Sequence, residues 1–91
     1  MTILMTSDMP GVTQEAYEAM AGALGQLLSA TPGFIAHVAG PVPGGFRVTE
    51  LWENEAAHTA WYAAHVAPNV PADVAAHVIT VQEVTGTIDR V

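Results

Sequence analysis

Apolar residues near the N-terminus recur every three or four positions, a spacing that places them on one face of an α-helix. Thr13 is a suitable N-cap for this helix, and Glu15 lies in the first turn, where an acidic side chain is favourable. The Thr-Pro-Gly segment at 31–33 is expected to end the helix. The apolar stripe consists of Tyr17, Met20, Ala21, Leu24, Leu27 and Leu28.

Four other segments have the composition of β-strands. Residues 2–8 are rich in β-branched and apolar residues, and so are residues 78–88, where a bend is expected at Gly86. Residues 34–40 and 46–53 are separated by Pro-Val-Pro-Gly-Gly. This pattern predicts a β-hairpin with a slightly long loop.

A second helix is predicted from Glu55 to about Ala67, with Asn54 as its N-cap and its end before Pro68. Residues 71–77 are expected to add a short turn. The resulting order is β-α-β-β-α-β, without a linker or repeat. It predicts one domain with an α+β, ferredoxin-like fold, in which a four-stranded antiparallel sheet carries both helices on one face.

Two helices on one side leave the other face of the sheet uncovered. Leu4, Ile35, Leu51 and Val81 cannot all be buried by these helices. A chain of 91 residues forms a small core, and 51% of its residues are hydrophobic. We therefore expect a homodimer in which the two sheets pack face to face.

The charge count excludes several classes of function. The formal net charge is −7, and Arg47 and Arg90 are the only strong cations, so nucleic-acid binding is not expected. The chain lacks lysine and cysteine, which excludes Schiff bases on lysine, thiol nucleophiles and thiolate metal sites. No segment approaches the roughly 20 apolar residues of a membrane span. The N-terminal residues lack the features of a signal peptide, so we expect a cytoplasmic protein without a membrane partner.

The side chains that remain for chemistry are concentrated in residues 50–65. His58, Trp61, Tyr62 and His65 share one face of the second helix, because they are spaced i, i+3, i+4 and i+7. We expect this face to point toward the sheet. Trp61 and Tyr62 then belong either to the core or to a pocket wall, and His58 is either structural or catalytic. His65 lies roughly 10 Å further along the helix, too far to share a metal ion with His58, and is expected at the rim.

The third strand adds a carboxylate to this region. Alternation places Glu50 and Trp52 on the same face as two apolar residues. If that face meets the helices, Glu50 is buried and needs a partner, for which His37 on the second strand is the most suitable residue. The loop length leaves the hairpin register open, so the sequence does not decide whether the two side chains meet.

Two further residues have simpler interpretations. Arg47 lies on the opposite face of the third strand and is expected to pair with Glu53, Glu83 or a carboxylate of a partner chain. The alternative for Arg47 is to orient an anionic or phenolate oxygen of a substrate. His77, just before the last strand, is interpreted as a loop residue.

Residues 32–41 (PGFIAHVAGP) and 44–57 (GGFRVTELWENEAA), followed by an aromatic helix, resemble the antibiotic biosynthesis monooxygenase-like proteins of the dimeric α/β-barrel superfamily. The most specific part is the Glu50-x-Trp52-Glu53-Asn54 junction, which is similar to a Glu-x-Trp-Glu-Ser pattern of that family. The resemblance covers nearly the whole chain and implies a dimeric α/β barrel. Members of the superfamily include cofactor-free oxygenases, haem-degrading enzymes, isomerases and cyclases.

The leading hypothesis is a cofactor-independent monooxygenase that acts on a small aromatic or polyketide-like molecule, without metal, flavin or haem. His58 or His37 would act as the base, with Glu50 as a second polar group of the pocket. Tyr62 and Asn54 would donate hydrogen bonds to the substrate oxyanion. Trp52 and Trp61 would form the walls of a pocket between the sheet and the second helix.

Two alternatives remain open: a non-catalytic dimeric binding or accessory protein, and a cyclase or isomerase with the same fold. The haem-degrading branch matches poorly. Its members have an asparagine on the first strand, which is absent here, and a haem-ligating histidine about ten residues after the tryptophan of the second helix. The residue at that distance from Trp61 is Pro71.

Overall fold

The structure is a computed structural model that describes residues 1–70 and 76–88. The neighbouring strands of its sheet pair antiparallel in the order β2-β3-β1-β4. This is the predicted ferredoxin-like α+β topology, and most of the turn expected at 71–77 lies outside the described residues. The elements are β1 (Ile3–Pro10), α1 (Gln14–Ser29), β2 (Phe34–Val42), β3 (Gly45–Trp52), α2 (Glu55–Trp61) and β4 (Val78–Glu83).

Both helices begin at the predicted N-caps. The Thr13 hydroxyl accepts a hydrogen bond from the backbone N–H of Ala16 at 3.1 Å. The Asn54 Oδ1 accepts one from Ala57 at 2.8 Å. Gly33 lies between α1 and β2 with a φ of 88°, and a Cβ there would lie 2.7 Å from the Cβ of Ala57. The connection therefore needs glycine both for its backbone conformation and for its close approach to α2.

The second helix changes its hydrogen-bonding pattern before it ends. After α2 the chain continues as a π-helix (Tyr62–Val66) and then as a 3-10 turn (Ala67–Asn69). The predicted end before Pro68 is wrong, because this proline lies in the first turn of the 3-10 segment. A proline is tolerated there, since its missing N–H has no partner to lose. None of the helices among the described residues has the length and apolar character that crossing a membrane requires.

The hairpin has a shorter loop than predicted. Val42 pairs with Gly45, which leaves only residues 43 and 44 to connect the strands. An irregularity between Phe34 and Ala36 then shifts the register of β2 against β3. Beyond this shift His37 lies directly opposite Glu50, so the two residues share one face of the sheet.

The two faces of the sheet differ strongly in burial. The face toward the helices carries the core, whose buried members on the two central strands are Ile3, Met5, Ser7, Met9, Phe46, Val48, Glu50 and Trp52.

The opposite face is not covered by other described parts of the chain. Val38, which pairs with Thr49 on this side, is 65% exposed, and Ile35 at the irregularity of β2 is 48% exposed. Val81 is 36% exposed, although it pairs with Met5 and therefore lies on the helix-facing side. Leu4 and Leu51, which are half-buried, pair with each other on the uncovered side, as predicted.

Candidate functional site

A cavity of about 240 Å³ lies between the sheet and the helical layer. Residues of α1 line it, and so do residues of α2 and of the segment that follows α2. It exceeds the roughly 150 Å³ of an engineered apolar cavity that admits benzene. Most of its wall is apolar, with methionines, leucines and Trp61. The polar and titratable residues that line it are Ser7, Tyr17, Ser29, His37, Glu50, His58, Tyr62 and His77.

Four side chains form a hydrogen-bonded chain at one wall of the cavity. The Glu50 carboxylate, 5% exposed, accepts from the Trp52 indole N–H at 2.9 Å and interacts with Nδ1 of His37 at 2.6 Å. Nε2 of His37 lies 2.6 Å from the Tyr17 hydroxyl. Because a carboxylate can only accept hydrogen bonds, Nδ1 of His37 carries the hydrogen and donates it to Glu50. When the ring is neutral, Nε2 is an acceptor and the Tyr17 O–H donates to it.

Tyr17 lies on α1, and its side chain packs against an aromatic residue of β3. Its ring stacks on Phe46 at a centroid distance of 4.8 Å and an interplanar angle of 19°. Burial, followed by the negative charge of Glu50, raises the pKa of the Tyr17 phenol above its usual value. Tyr17 is therefore a neutral hydroxyl at neutral pH.

His58 meets the cavity from α2. Its ring is 4% exposed and lies edge-on to Trp52 at a centroid distance of 5.6 Å. Burial lowers the pKa of His58, and the nearby charges of Glu50 and Glu55 oppose this shift without cancelling it. The ring lines the cavity, forms no hydrogen bond with a described residue, and is a neutral imidazole at neutral pH.

Two further polar groups line the cavity. Ser7 on β1 is 5% exposed, and its hydroxyl has no hydrogen-bond partner among the described residues. His77 lies outside β4, as predicted, but its ring lines the cavity and its Nδ1 is 3.4 Å from the Tyr62 hydroxyl. Burial lowers the pKa of His77. Ser7, His58 and the Tyr62–His77 pair thus leave polar atoms available to a ligand.

The structure brings together five of the predicted site residues and separates the others from the cavity. His37, Glu50, His58, Trp61 and Tyr62 line it.

Trp52 does not form a wall of the pocket, contrary to the prediction, because it is 0% exposed and packed behind Glu50. Asn54 does not line the cavity either, because its Oδ1 caps α2. His65 is half-buried outside the cavity lining, where its ring lies 4.7 Å from that of Trp61. None of these three side chains therefore lines the cavity.

Arg47 lies on the uncovered face of the sheet, away from the cavity. Its Nε–H donates to Asp8 at 2.7 Å, and this hydrogen bond, with the charge of Asp8, raises the pKa of Arg47. The expected pairing with Glu53 or Glu83 is wrong, because the register places Asp8 directly opposite Arg47. Arg47 does not line the cavity.

The sequence prediction missed Tyr17 and the exposure of His77 to the cavity. Tyr17 was assigned to the apolar stripe of α1, and its ring does pack there. A tyrosine in such a stripe still needs a partner for its hydroxyl, which was the available signal. Within residues 1–70 and 76–88, no group of three or more potential ligands is arranged to hold a metal ion.

Comparison with family models and with curated proteins finds no match. Solved structures do match over almost the whole chain. A candidate antibiotic biosynthesis monooxygenase from Deinococcus radiodurans shares 22% identity, with a TM-score of 0.69, and the match covers 100% of this chain and 99% of that one. This chain has the fold of the antibiotic biosynthesis monooxygenases.

Two other proteins with this fold also match over almost the whole chain. The heme-degrader MhuD from Mycobacterium tuberculosis, solved with two hemes bound, shares 20% identity at a TM-score of 0.66, and the match covers 96% of this chain and 99% of that one. SnoaB from Streptomyces nogalater, a cofactor-independent oxygenase, shares 10% identity at a TM-score of 0.66, covering 96% and 95%. At such identities the likeness concerns the fold, and it confirms the resemblance at that level.

Proposed function

We propose that this protein is a cofactor-independent oxygenase that acts on a small hydroxylated aromatic or polyketide-like substrate. The observation that carries the proposal is the Tyr17–His37–Glu50 hydrogen-bonded chain in the wall of an otherwise apolar cavity. A histidine whose Nδ1–H is held by a buried carboxylate is the arrangement that enzymes use for a general base. An apolar cavity of this size selects a small, largely hydrophobic ligand.

The reaction that fits these parts begins with removal of a proton from an electron-rich phenol or anthrone. The resulting anion passes one electron to O₂, and recombination of the two radicals gives a peroxide on the substrate carbon. Loss of water then converts an anthrone methylene into a carbonyl, so that one O₂ is consumed and one water is released. The substrate supplies all the electrons, and the protein needs only a base, hydrogen-bond donors and a site that excludes water.

The base is provided by one of the two histidines of the cavity, His37 or His58. Glu50 stabilises a positive charge on His37 through their hydrogen bond at 2.6 Å. The hydroxyls of Ser7 and Tyr62 replace Asn54 as candidate donors to the substrate oxyanion, because they line the cavity. Trp61 supplies an aromatic wall.

We further propose that the active form is a homodimer. The support is the uncovered face of the sheet, where Val38 is exposed and Leu4 and Leu51 are half-buried. A row of apolar side chains on a sheet face is stabilised when a second sheet excludes water from it.

Oxygen uptake tests the proposed function. The purified protein is mixed with a panel of anthrones and hydroquinones, with a metal chelator present. We expect substrate-dependent uptake that is reduced in His37→Leu or His58→Leu and retained in His65→Leu, whose histidine lies outside the cavity. Uptake at background level by all four proteins, combined with ligand binding, would identify a binding protein instead. A titration with haemin, which measures haem binding and breakdown, distinguishes the oxygenase and the binding protein from a haem-degrading enzyme.

A further inference from the structure

His37 has no free ring nitrogen with which to take a proton directly from a substrate. Its Nδ1 is occupied by Glu50 and its Nε2 by the Tyr17 hydroxyl, each at 2.6 Å. The oxygen of Tyr17 has used its hydrogen in the bond to His37 and keeps a lone pair for another donor. Tyr17 lines the cavity, so a ligand hydroxyl can donate to it there.

The charges around the cavity restrict the ligand that enters it. Among the described residues that line the cavity, Glu50 is the only one with a permanent charge. Arg47 is on the other face of the sheet and is paired with Asp8. A carboxylate or phosphate ligand would therefore lose its hydration beside a buried anion, without a cation to compensate it. A neutral ligand does not meet this penalty.

We propose that the site binds its substrate as a neutral hydroxyaromatic and ionises it through Tyr17, an inference that rests on the proposed function. The O–H bond of the substrate breaks as its proton moves to the Tyr17 oxygen. The original Tyr17 proton moves to Nε2 of His37, whose Nδ1–H stays bonded to Glu50. One proton is transferred in all, and the new negative charge on the substrate is matched by a positive charge on His37.

His58 is less suited to this step. Both oxygens of Glu50 are already occupied, by His37 and by Trp52, and neither bonds to His58. The buried ring of His58 lacks a carboxylate partner among the described residues, so a positive charge on it would not be compensated by a hydrogen bond. His58 is placed to donate or accept a hydrogen bond from the ligand while it stays neutral.

A nitrophenol provides a direct test, because its phenolate absorbs visible light while its phenol form does not. It is also too electron-poor to react with O₂, so it measures proton transfer alone. In wild type we expect the bound 4-nitrophenol to be ionised more than the free compound at the same pH. Tyr17→Phe keeps the ring that stacks on Phe46 and removes the hydroxyl. It should lower the phenolate-to-phenol ratio of the bound ligand by about tenfold or more, which corresponds to one pKa unit.

Glu50→Gln provides a second variant, since it leaves Tyr17 in place but removes the charge behind His37, and it should lower the same ratio. His65→Leu is the control and should behave as wild type. The proposal is overturned if wild type binds the probe as the neutral phenol. It is also overturned if the ratio falls in His58→Leu alone and not in Tyr17→Phe. In either case, oxygen uptake by wild type would leave the proposed function standing.

The neutral-ligand part is tested with 4-nitrobenzoate, which has a similar shape and a fixed charge. We expect its Kd to be about tenfold or more higher than that of 4-nitrophenol, measured where the phenol is neutral in solution, a difference of about 1.4 kcal/mol. Equal Kd values for 4-nitrobenzoate and 4-nitrophenol would contradict the proposal that the site binds a neutral ligand. Ionised nitrophenol with no oxygen uptake from any anthrone or hydroquinone would contradict the oxygenase function alone.

Discussion

Replacement of Glu50 by glutamine should reverse the direction of the hydrogen-bonded chain. In wild type both carboxylate oxygens accept, one from Trp52 and one from His37. Glutamine offers one acceptor and one donor. The Trp52 indole N–H can only donate, so it should take the amide oxygen, which leaves the amide NH₂ facing His37. Nδ1 of His37 must then accept, and the hydrogen moves to Nε2, where a proton from Tyr17 can no longer be received.

The expected effect is large on activity and small on stability. Loss of a positioned general base lowers the rate by roughly 10²–10⁴. Two charge-assisted hydrogen bonds become neutral ones, which costs about 1–3 kcal/mol. Removal of a buried charge offsets part of this cost. We expect a net loss of about 1 kcal/mol, which lowers Tm by roughly 4–8 °C in a domain of this size.

The assay compares kcat/KM for oxygen uptake, together with thermal unfolding, between wild type, Glu50→Gln and Glu53→Gln. Glu53 is exposed and lies three residues further along the chain, so its variant has the same change in net charge. The control should retain full activity. If Glu50→Gln is as active as the control while it stays folded, the chain of hydrogen bonds has no role in catalysis.

Three further predictions follow from the same structure. His58→Leu removes a buried polar ring without a described partner and should stabilise the protein by about 1 kcal/mol. The folded-state pKa of His58 is below its ordinary value of 6.5, so wild-type stability is full above pH 6.5 and decreases as the pH falls below it. Thermal melts of the variant should therefore show a smaller acid destabilisation, and an equal one would be contrary to this reasoning. Val38→Asp on the uncovered face should convert a dimer of twice 9.5 kDa into monomers in sedimentation, whereas Thr59→Asp on the exposed side of α2 should not. A wild-type monomer would refute the dimer. Gly33→Ala, at a φ of 88° and with a side chain of α2 2.7 Å from the new Cβ, should lower the free energy of unfolding by about 1–3 kcal/mol. Gly22→Ala, in α1 with open space around it, should instead raise it by about 0.5–1 kcal/mol in denaturant titrations.

The fold follows from local signals that the sequence carries plainly. The caps at Thr13 and Asn54, the apolar stripe of α1 and the alternation of β3 each depend on residues close in sequence. The hairpin register does not, because it is set by a loop of only residues 43 and 44, where the sequence predicted a longer one. A change of one residue in that register would place His37 on the opposite face from Glu50.

The candidate site was only partly predictable for the same reason. Alternation showed that Glu50 needed a partner, and His37 is that partner. Tyr17 was hidden within an apolar pattern, because a tyrosine ring satisfies the helical stripe whether or not its hydroxyl does chemistry. Trp52 lies on the predicted face, but the volume of the core places it behind Glu50 rather than in contact with the cavity. How deeply a side chain is buried depends on the packing of the whole core. The periodicity of apolar residues along the sequence does not predict it.

The central claim is that His37 receives the proton of the substrate, and nitrogen NMR of the histidine rings tests it most directly. In ¹⁵N-histidine-labelled protein at mildly alkaline pH, without ligand, the account predicts a neutral His37 with its hydrogen on Nδ1. After addition of 4-nitrophenol, both ring nitrogens of His37 should give signals of a protonated imidazolium, and Tyr17→Phe should abolish the change. A His37 ring that stays neutral while the ligand is bound, or a positive charge that arises on His58 instead, would contradict the account.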